Sequence, residues 1–163
     1  MRSARLAFIL LLLAASPAWA RDALGMFGAW GAFRDPAAPR CYAIAMAAPS
    51  AKQREFQPYA DVAWWPRVGV RGQVHFRLSR RLQPGTAITL SLGGQRIPLT
   101  GGGADAWAPD KRGDAAIIAA MRSAGEMSIS ARDTGGGGFS NTWDLTGAAT
   151  AIDAATLGCA GLR

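Results

Sequence analysis

Along residues 67–82, RVGVRGQVHFRLSRRL, apolar and polar side chains alternate. Val68 and Val70 alternate with Arg67 and Arg71. Val74, Phe76 and Leu78 alternate with Gln73, His75, Arg77 and Ser79. A period of two puts the sets on opposite faces of a strand, one towards a core and one towards water. Gly72 resets the phase between the two halves, which predicts a bulge or bend. The same alternation is visible at Ile88, Leu90 and Leu92 and again at Ile97 and Leu99. Gly93-Gly94 between them supplies the positive φ angles of a tight hairpin turn.

Weaker patterns fill in the rest. Phe27, Trp30 and Phe33 in FGAWGAF predict an entry strand or turn packed on the core. Residues 40–47 form a β-type run in which Tyr42, Ile44 and Met46 alternate with small residues. A polar loop follows over 49–58, then a strand over 59–66 that Pro66 stops. Residues 101–110 are expected to form a loop around Trp107. Residues 114–125 predict a helix capped by Asp114, with Ile117, Ile118 and Met121 on one face and Gly125 as the stop. Strands are predicted over 126–133 and in FSNTWDL, separated by the glycine-rich turn TGGGGFSN. An alanine-rich helix over 146–159 ends at Gly158 and delivers Cys159 to the body of the domain. Seven or eight short strands and two short helices predict a mainly β, single-domain antiparallel β-sandwich or barrel-like fold over residues 21–163.

The first 20 residues do not belong to that pattern. Arg2 and Arg5 precede an uncharged run, Leu6 to Ala15, followed by Ser16-Pro17-Ala18-Trp19-Ala20. A basic start, a short apolar run and an Ala-x-Ala site predict a signal peptide cleaved after Ala20. The run is about half the roughly 20 residues that a membrane-spanning helix needs. No later segment resembles a transmembrane span. Of the 18 basic residues only Lys52 and Lys111 are lysine, a skew typical of GC-rich bacterial genomes. The expected location is therefore the periplasm, with outer-membrane association or secretion as further destinations of an exported chain.

Export changes how the two cysteines, Cys41 and Cys159, are read. In an oxidising compartment two cysteines in a small domain most often pair. The other readings are a free or intermolecular thiol, a nucleophile or a metal ligand. A nucleophile needs a base, and the one histidine is His75, on the wet face of its strand with no orienting carboxylate nearby in sequence. A metal site needs three or four ligands, which one His and two Cys do not supply. The glycines of 101–103 lack the Gly-Lys-Ser/Thr sequence of a phosphate loop. No catalytic residue, metal or cofactor is predicted.

Charge adds one candidate. The chain carries a formal net charge of +7. No acidic residue lies between Asp61 and Asp105, whereas Arg67, Arg71, Arg77, Arg80, Arg81 and Arg96 all do. Arg67, Arg71, Arg77 and Arg81 are the candidate anion-binding set, suited to an anionic envelope or host-surface component rather than to nucleic acid. The same pattern also suits a strand face that is merely solvated.

The order FGAW, CYAIA, AW, IIAAMRSAGEMSISA and TWDLTGAATAIDAATLGC resembles the bacterial invasion-associated locus B family, in its short, arginine-rich alphaproteobacterial form. The resemblance spans about residues 24 to 160. AAIIAAMRSAGEMSI and LTGAATAI are its most specific pieces, and neither is catalytic. It implies a small β-rich protein of the periplasm or envelope without known enzymatic activity, linked in some members to host-cell entry. Many members have two early cysteines. This chain has only Cys41 there, so its partner would be Cys159. The functional expectation is an exported non-enzymatic binding or accessory protein of the envelope. The alternatives are a periplasmic hydrolase built on a carboxylate pair that folding brings together, or a partner subunit of another exported protein.

Overall fold

The computed structural model describes residues 21–161; the expected signal peptide and its cleavage site after Ala20 lie outside them. Alternation and turn glycines break the chain into ten strands. They are β1 (Asp22–Phe27), β2 (Trp30–Asp35), β3 (Arg40–Met46), β4 (Tyr59–Trp65), β5 (Val70–Arg77), β6 (Ile88–Leu92), β7 (Gln95–Gly102), β8 (Asp105–Trp107), β9 (Glu126–Arg132) and β10 (Gly138–Asp144). Helix α1 (Lys111–Met121) separates β8 from β9, and α2 (Ala148–Cys159) follows β10. All pairings are antiparallel, in the order β1-β2-β3-β4-β5-β8-β7-β6-β9-β10. This is the predicted mainly β architecture with two helices, built from ten strands rather than seven or eight.

Strand β7 joins the two halves of the sheet. Its residues 95–99 pair with β6 and its residues 100–102 with β8. Both halves contribute to one core, in which the rings of Phe76 on β5 and Trp143 on β10 lie 5.6 Å apart. The N–H of Ala48, just beyond β3, donates to the Thr142 carbonyl of β10 at 2.7 Å. Buried Asn141 accepts from the Ser79 N–H at 3.0 Å and donates to the Ser79 hydroxyl at 2.9 Å. These bonds satisfy polar groups that would otherwise be stranded where the halves meet.

Local departures from the sequence expectation have local causes. Pro66–Val68 forms one turn of 3-10 helix, ended by Gly69 at φ +70°. Val68 is 72% exposed and belongs to no core face, because strand β5 starts only at Val70. Phe27 and Trp30 are cross-strand partners at the tip of a hairpin, so FGAWGAF is a turn between two strands. The predicted loop 101–110 contains the end of β7 and all of β8. Helix α1 begins at Lys111, with Asp110 as its cap accepting from the Gly113 N–H at 2.8 Å. Asp114 is not the cap; its carboxylate accepts from the Val74 N–H of β5 at 2.8 Å. On β3 the small residues are the core-facing set, and buried Tyr42 lies on the opposite face against Phe33. Cys41, Ala43 and Ala45 face the core while Met46 is exposed.

That small-residue face receives α2. The helix presents Ala148, Ala151, Ile152, Ala155 and Cys159, all buried, against the inner sides of β1 to β4. Cys41 and Cys159 form a disulfide, their Cα atoms 5.7 Å apart. At the other end of α2, the Trp30 indole N–H donates to the Asp144 carbonyl at 2.9 Å. The Ala29 N–H donates to the Thr146 carbonyl at 3.2 Å. Gly147 holds φ +87°, and a Cβ there would collide with the Phe27 carbonyl. Only glycine fits this junction.

The bridge spans 118 residues of sequence. Closing so long a loop in the unfolded chain contributes roughly 4–5 kcal/mol on the chain-entropy account. Replacing both cysteines, Cys41→Ala with Cys159→Ala, is expected to lower urea-unfolding stability by about that amount. A loss below about 1 kcal/mol would show that packing of α2, not the bridge, holds this seam.

Candidate functional site

The outward-facing side chains of β2 to β5, β8 and the end of β7 meet across the strands in registered rows. One row runs Gly31, Ile44, Asp61, His75, Trp107 and Thr100; its neighbour runs Met46, Tyr59, Arg77 and Asp105. Cross-strand neighbours on one face stand about 4.5–5.5 Å apart at Cβ, close enough for direct side-chain contact. The register therefore assembles a cluster around His75 from residues distant in sequence.

His75 is not a surface histidine on a bare wet face. Its side chain is 19% exposed and lies between two carboxylates. Nδ1 is 2.9 Å from Asp61 Oδ1, and Nε2 is 3.1 Å from Asp105 Oδ1. The second oxygen of Asp105 accepts from the Arg77 guanidinium at 2.7 Å. Trp107 and Tyr59 flank the imidazole, with ring centroids 5.3 and 5.7 Å away. Burial pulls the His75 pKa down, but hydrogen bonds and charge from Asp61 and Asp105 outweigh it, leaving the pKa above the usual 6.5. Burial, then the negative charges of Asp61 and Asp105, push the Tyr59 phenol upward as well. The protonated ring donates both N–H groups to carboxylates. In that form it has no lone pair left with which to accept a proton from a substrate.

The four candidate arginines do not form one patch. Arg77 is bound to Asp105, and its guanidinium lies 4.3 Å from the Phe56 ring centroid. Arg81 lies over the same ring at 5.6 Å and 3.9 Å from Glu55. Arg80, in the same stretch, pairs with Asp133 at 3.1 Å. Arg67, in the 3-10 turn, and Arg71 lie at the other end of β5, are exposed, and make no ion pair among the described residues. The acidic gap in the sequence is filled in space by Glu55, Asp105 and Asp133, but only at one end of the strand.

Two arrangements thus stand out on β5: a saturated His75–carboxylate–arginine cluster and a pair of unpaired arginines beyond it. Among the described residues no group of three or more His, Cys, Asp or Glu side chains is placed to hold a metal ion. No helix among them is long and apolar enough to cross a membrane. No family model matches the chain, and no curated protein or solved structure matches it either.

The raised His75 pKa gives a signed pH dependence. A group that holds its proton more tightly when folded stabilises the fold fully below its unfolded pKa, near 6.5. That contribution is lost as pH rises through the folded pKa. Urea unfolding of the wild type should therefore weaken from pH 5.5 towards pH 8.5, and His75→Gln should remove this part of the slope. An imidazole proton titration by NMR should place the midpoint above 6.5 and lower it in Asp61→Asn. An unchanged slope in His75→Gln would assign the pH dependence elsewhere.

Proposed function

We propose that this chain is an exported, non-enzymatic binding protein of the bacterial envelope, with an anionic envelope or host-surface component as its partner. The observation that carries the non-enzymatic part is the saturation of His75. The one histidine of the chain has both ring nitrogens engaged by Asp61 and Asp105, and Arg77 occupies the remaining oxygen of Asp105. A hydrolytic site built on these carboxylates would first have to break that network. Export is supported by the Cys41–Cys159 disulfide, which suits an oxidising compartment, and by the leader-like sequence before Arg21. Membership of the invasion-associated locus B family is proposed on the motif order alone, and a contribution to host-cell contact follows only from that membership.

Expression in a Gram-negative host with residues 1–20 intact tests the reading. The expected product begins at Arg21, fractionates with the periplasm or envelope and has no free thiol. Against ester, phosphate, glycoside and peptide substrates it should show no turnover that His75→Gln or Asp61→Asn abolishes. Cytoplasmic retention with reduced cysteines would overturn the export claim. Turnover that either substitution removes would make the cluster an active site.

A further inference from the structure

A groove of about 560 Å³ opens between the start of β5 and helix α1. That volume lies within the roughly 300–1,000 Å³ usual for small-molecule sites. Its apolar lining comes from Trp64, Val70 and Ile118, all half-buried. Gly72 lets the helix come this close, since a Cβ there would lie 3.0 Å from the Ile118 Cδ1. Arg71 and Lys111 stand on the rim, exposed and without an ion pair among the described residues. The third cation of the groove, Arg122, is already held by Asp153 at 2.6 Å. The one carboxylate in the lining, Asp114, is committed to the Val74 N–H.

An apolar trough beneath two unpaired cations complements a molecule with an apolar tail and an anionic head. A guanidinium fork binds phosphate through paired N–H groups, and the lysine adds a point charge. The tail gains by leaving water against Trp64 and Ile118. We propose that this groove binds a single-chain amphiphile with a phosphate headgroup, the head between Arg71 and Lys111 and the chain along the Trp64–Ile118 floor. This names a ligand class within the envelope-binding reading and rests on that reading only for where the amphiphile comes from. Binding by the purified protein tests the groove, whereas export is tested by fractionation, so either can fail alone.

The probe is dodecyl phosphate, titrated calorimetrically below its critical micelle concentration into the purified, disulfide-bonded protein. Saturable one-to-one binding is expected. Inorganic phosphate and the neutral amphiphile dodecyl maltoside should each bind at least about tenfold more weakly, a loss of roughly 1.4 kcal/mol. The double charge reversal Arg71→Glu with Lys111→Glu should weaken dodecyl phosphate by at least about as much. So should Ala115→Trp, which fills the trough from an exposed helix position and leaves both cations in place. Circular dichroism checks each fold, and Arg71→Gln with Lys111→Gln replaces the reversal if that variant does not fold. Absence of saturable binding overturns the proposal. Equal binding of inorganic phosphate would reduce the site to a bare anion contact, equal binding of the maltoside to a bare apolar one, and either overturns it. Binding that survives both the charge variant and Ala115→Trp places the probe elsewhere and overturns it too.

Discussion

The distance at which α2 can lie on the sheet governs the rest of this fold. Ala43 and Ala45 on β3 and Ala60 on β4 turn only methyl groups towards the core, and α2 answers with Ala148, Ala151 and Ala155. Small side chains on both surfaces let the two backbones approach closely, which brings Cys159 within bonding distance of Cys41. Larger residues on β3's inner face would lift the helix and part the cysteines. The same seating presses the start of α2 against the first hairpin, where only Gly147 fits beside the Phe27 carbonyl. The first three strands and the segment from Asp144 through α2 are thus locked together by packing, by hydrogen bonds from Ala29 and Trp30, and by the covalent bond from Cys41 on β3. The sheet between them curls at β7 to share a single core.

With its inner face committed in this way, the sheet leaves its outer face to display chemistry, and register decides what is displayed. Tyr59–Trp65 and Val70–Arg77 pair outward from the Pro66–Gly69 turn, with Trp65 opposite Val70 and Trp64 opposite Arg71. Gly72 is the extra residue that then shifts the pairing, so that Ala63 meets Gln73 and Asp61 meets His75. Without that one-residue shift Asp61 would lie opposite Val74, on the other side of the pleat from the imidazole. The glycine that interrupts the alternation is what brings a carboxylate to the histidine. It also leaves room for Ile118 of α1, so one position shapes both the cluster and the neighbouring groove.

The alternating strands, the Gly93-Gly94 hairpin, the bulge at Gly72 and the two helices were legible because each writes a local, periodic or turn-specific signal. The His75 cluster was not, since it depends on where the bulge puts the register and on a third strand, β8, hidden in a glycine-rich segment. Three residues are too few to show a period. Asp114 misled for a related reason: it has the residue type of a cap, but the backbone of β5 offers its Val74 N–H as a competing donor. Val68 continued the alternation on paper, yet Pro66 starts a 3-10 turn that removes it from the strand. On β3 the alternation of large and small residues did not say which set faces the core; the small ones do, because a helix has to fit there.

The arginines show most clearly what sequence alone misses. A stretch without acidic residues reads as one positive face, but half of its arginines are answered from elsewhere in the chain. Asp105 is on β8, Asp133 lies beyond β9 and Glu55 is in the loop before β4. All three serve the downstream end, where Arg77, Arg80 and Arg81 are held. Arg77 lies six positions after Arg71, about 20 Å along an extended strand. That exceeds the roughly 8 Å screening length at physiological salt, so the neutralised end does little to quench Arg71 or Arg67. Strand β5 therefore has two electrostatic ends. One is saturated around His75, with its charge paired inside the protein. The other keeps its cations for solvent or ligand, beside apolar surface that α1 covers only in part. The proposed recognition of an anion belongs at that second end, because of the two ends of β5 it is the one whose arginines make no ion pair among the described residues.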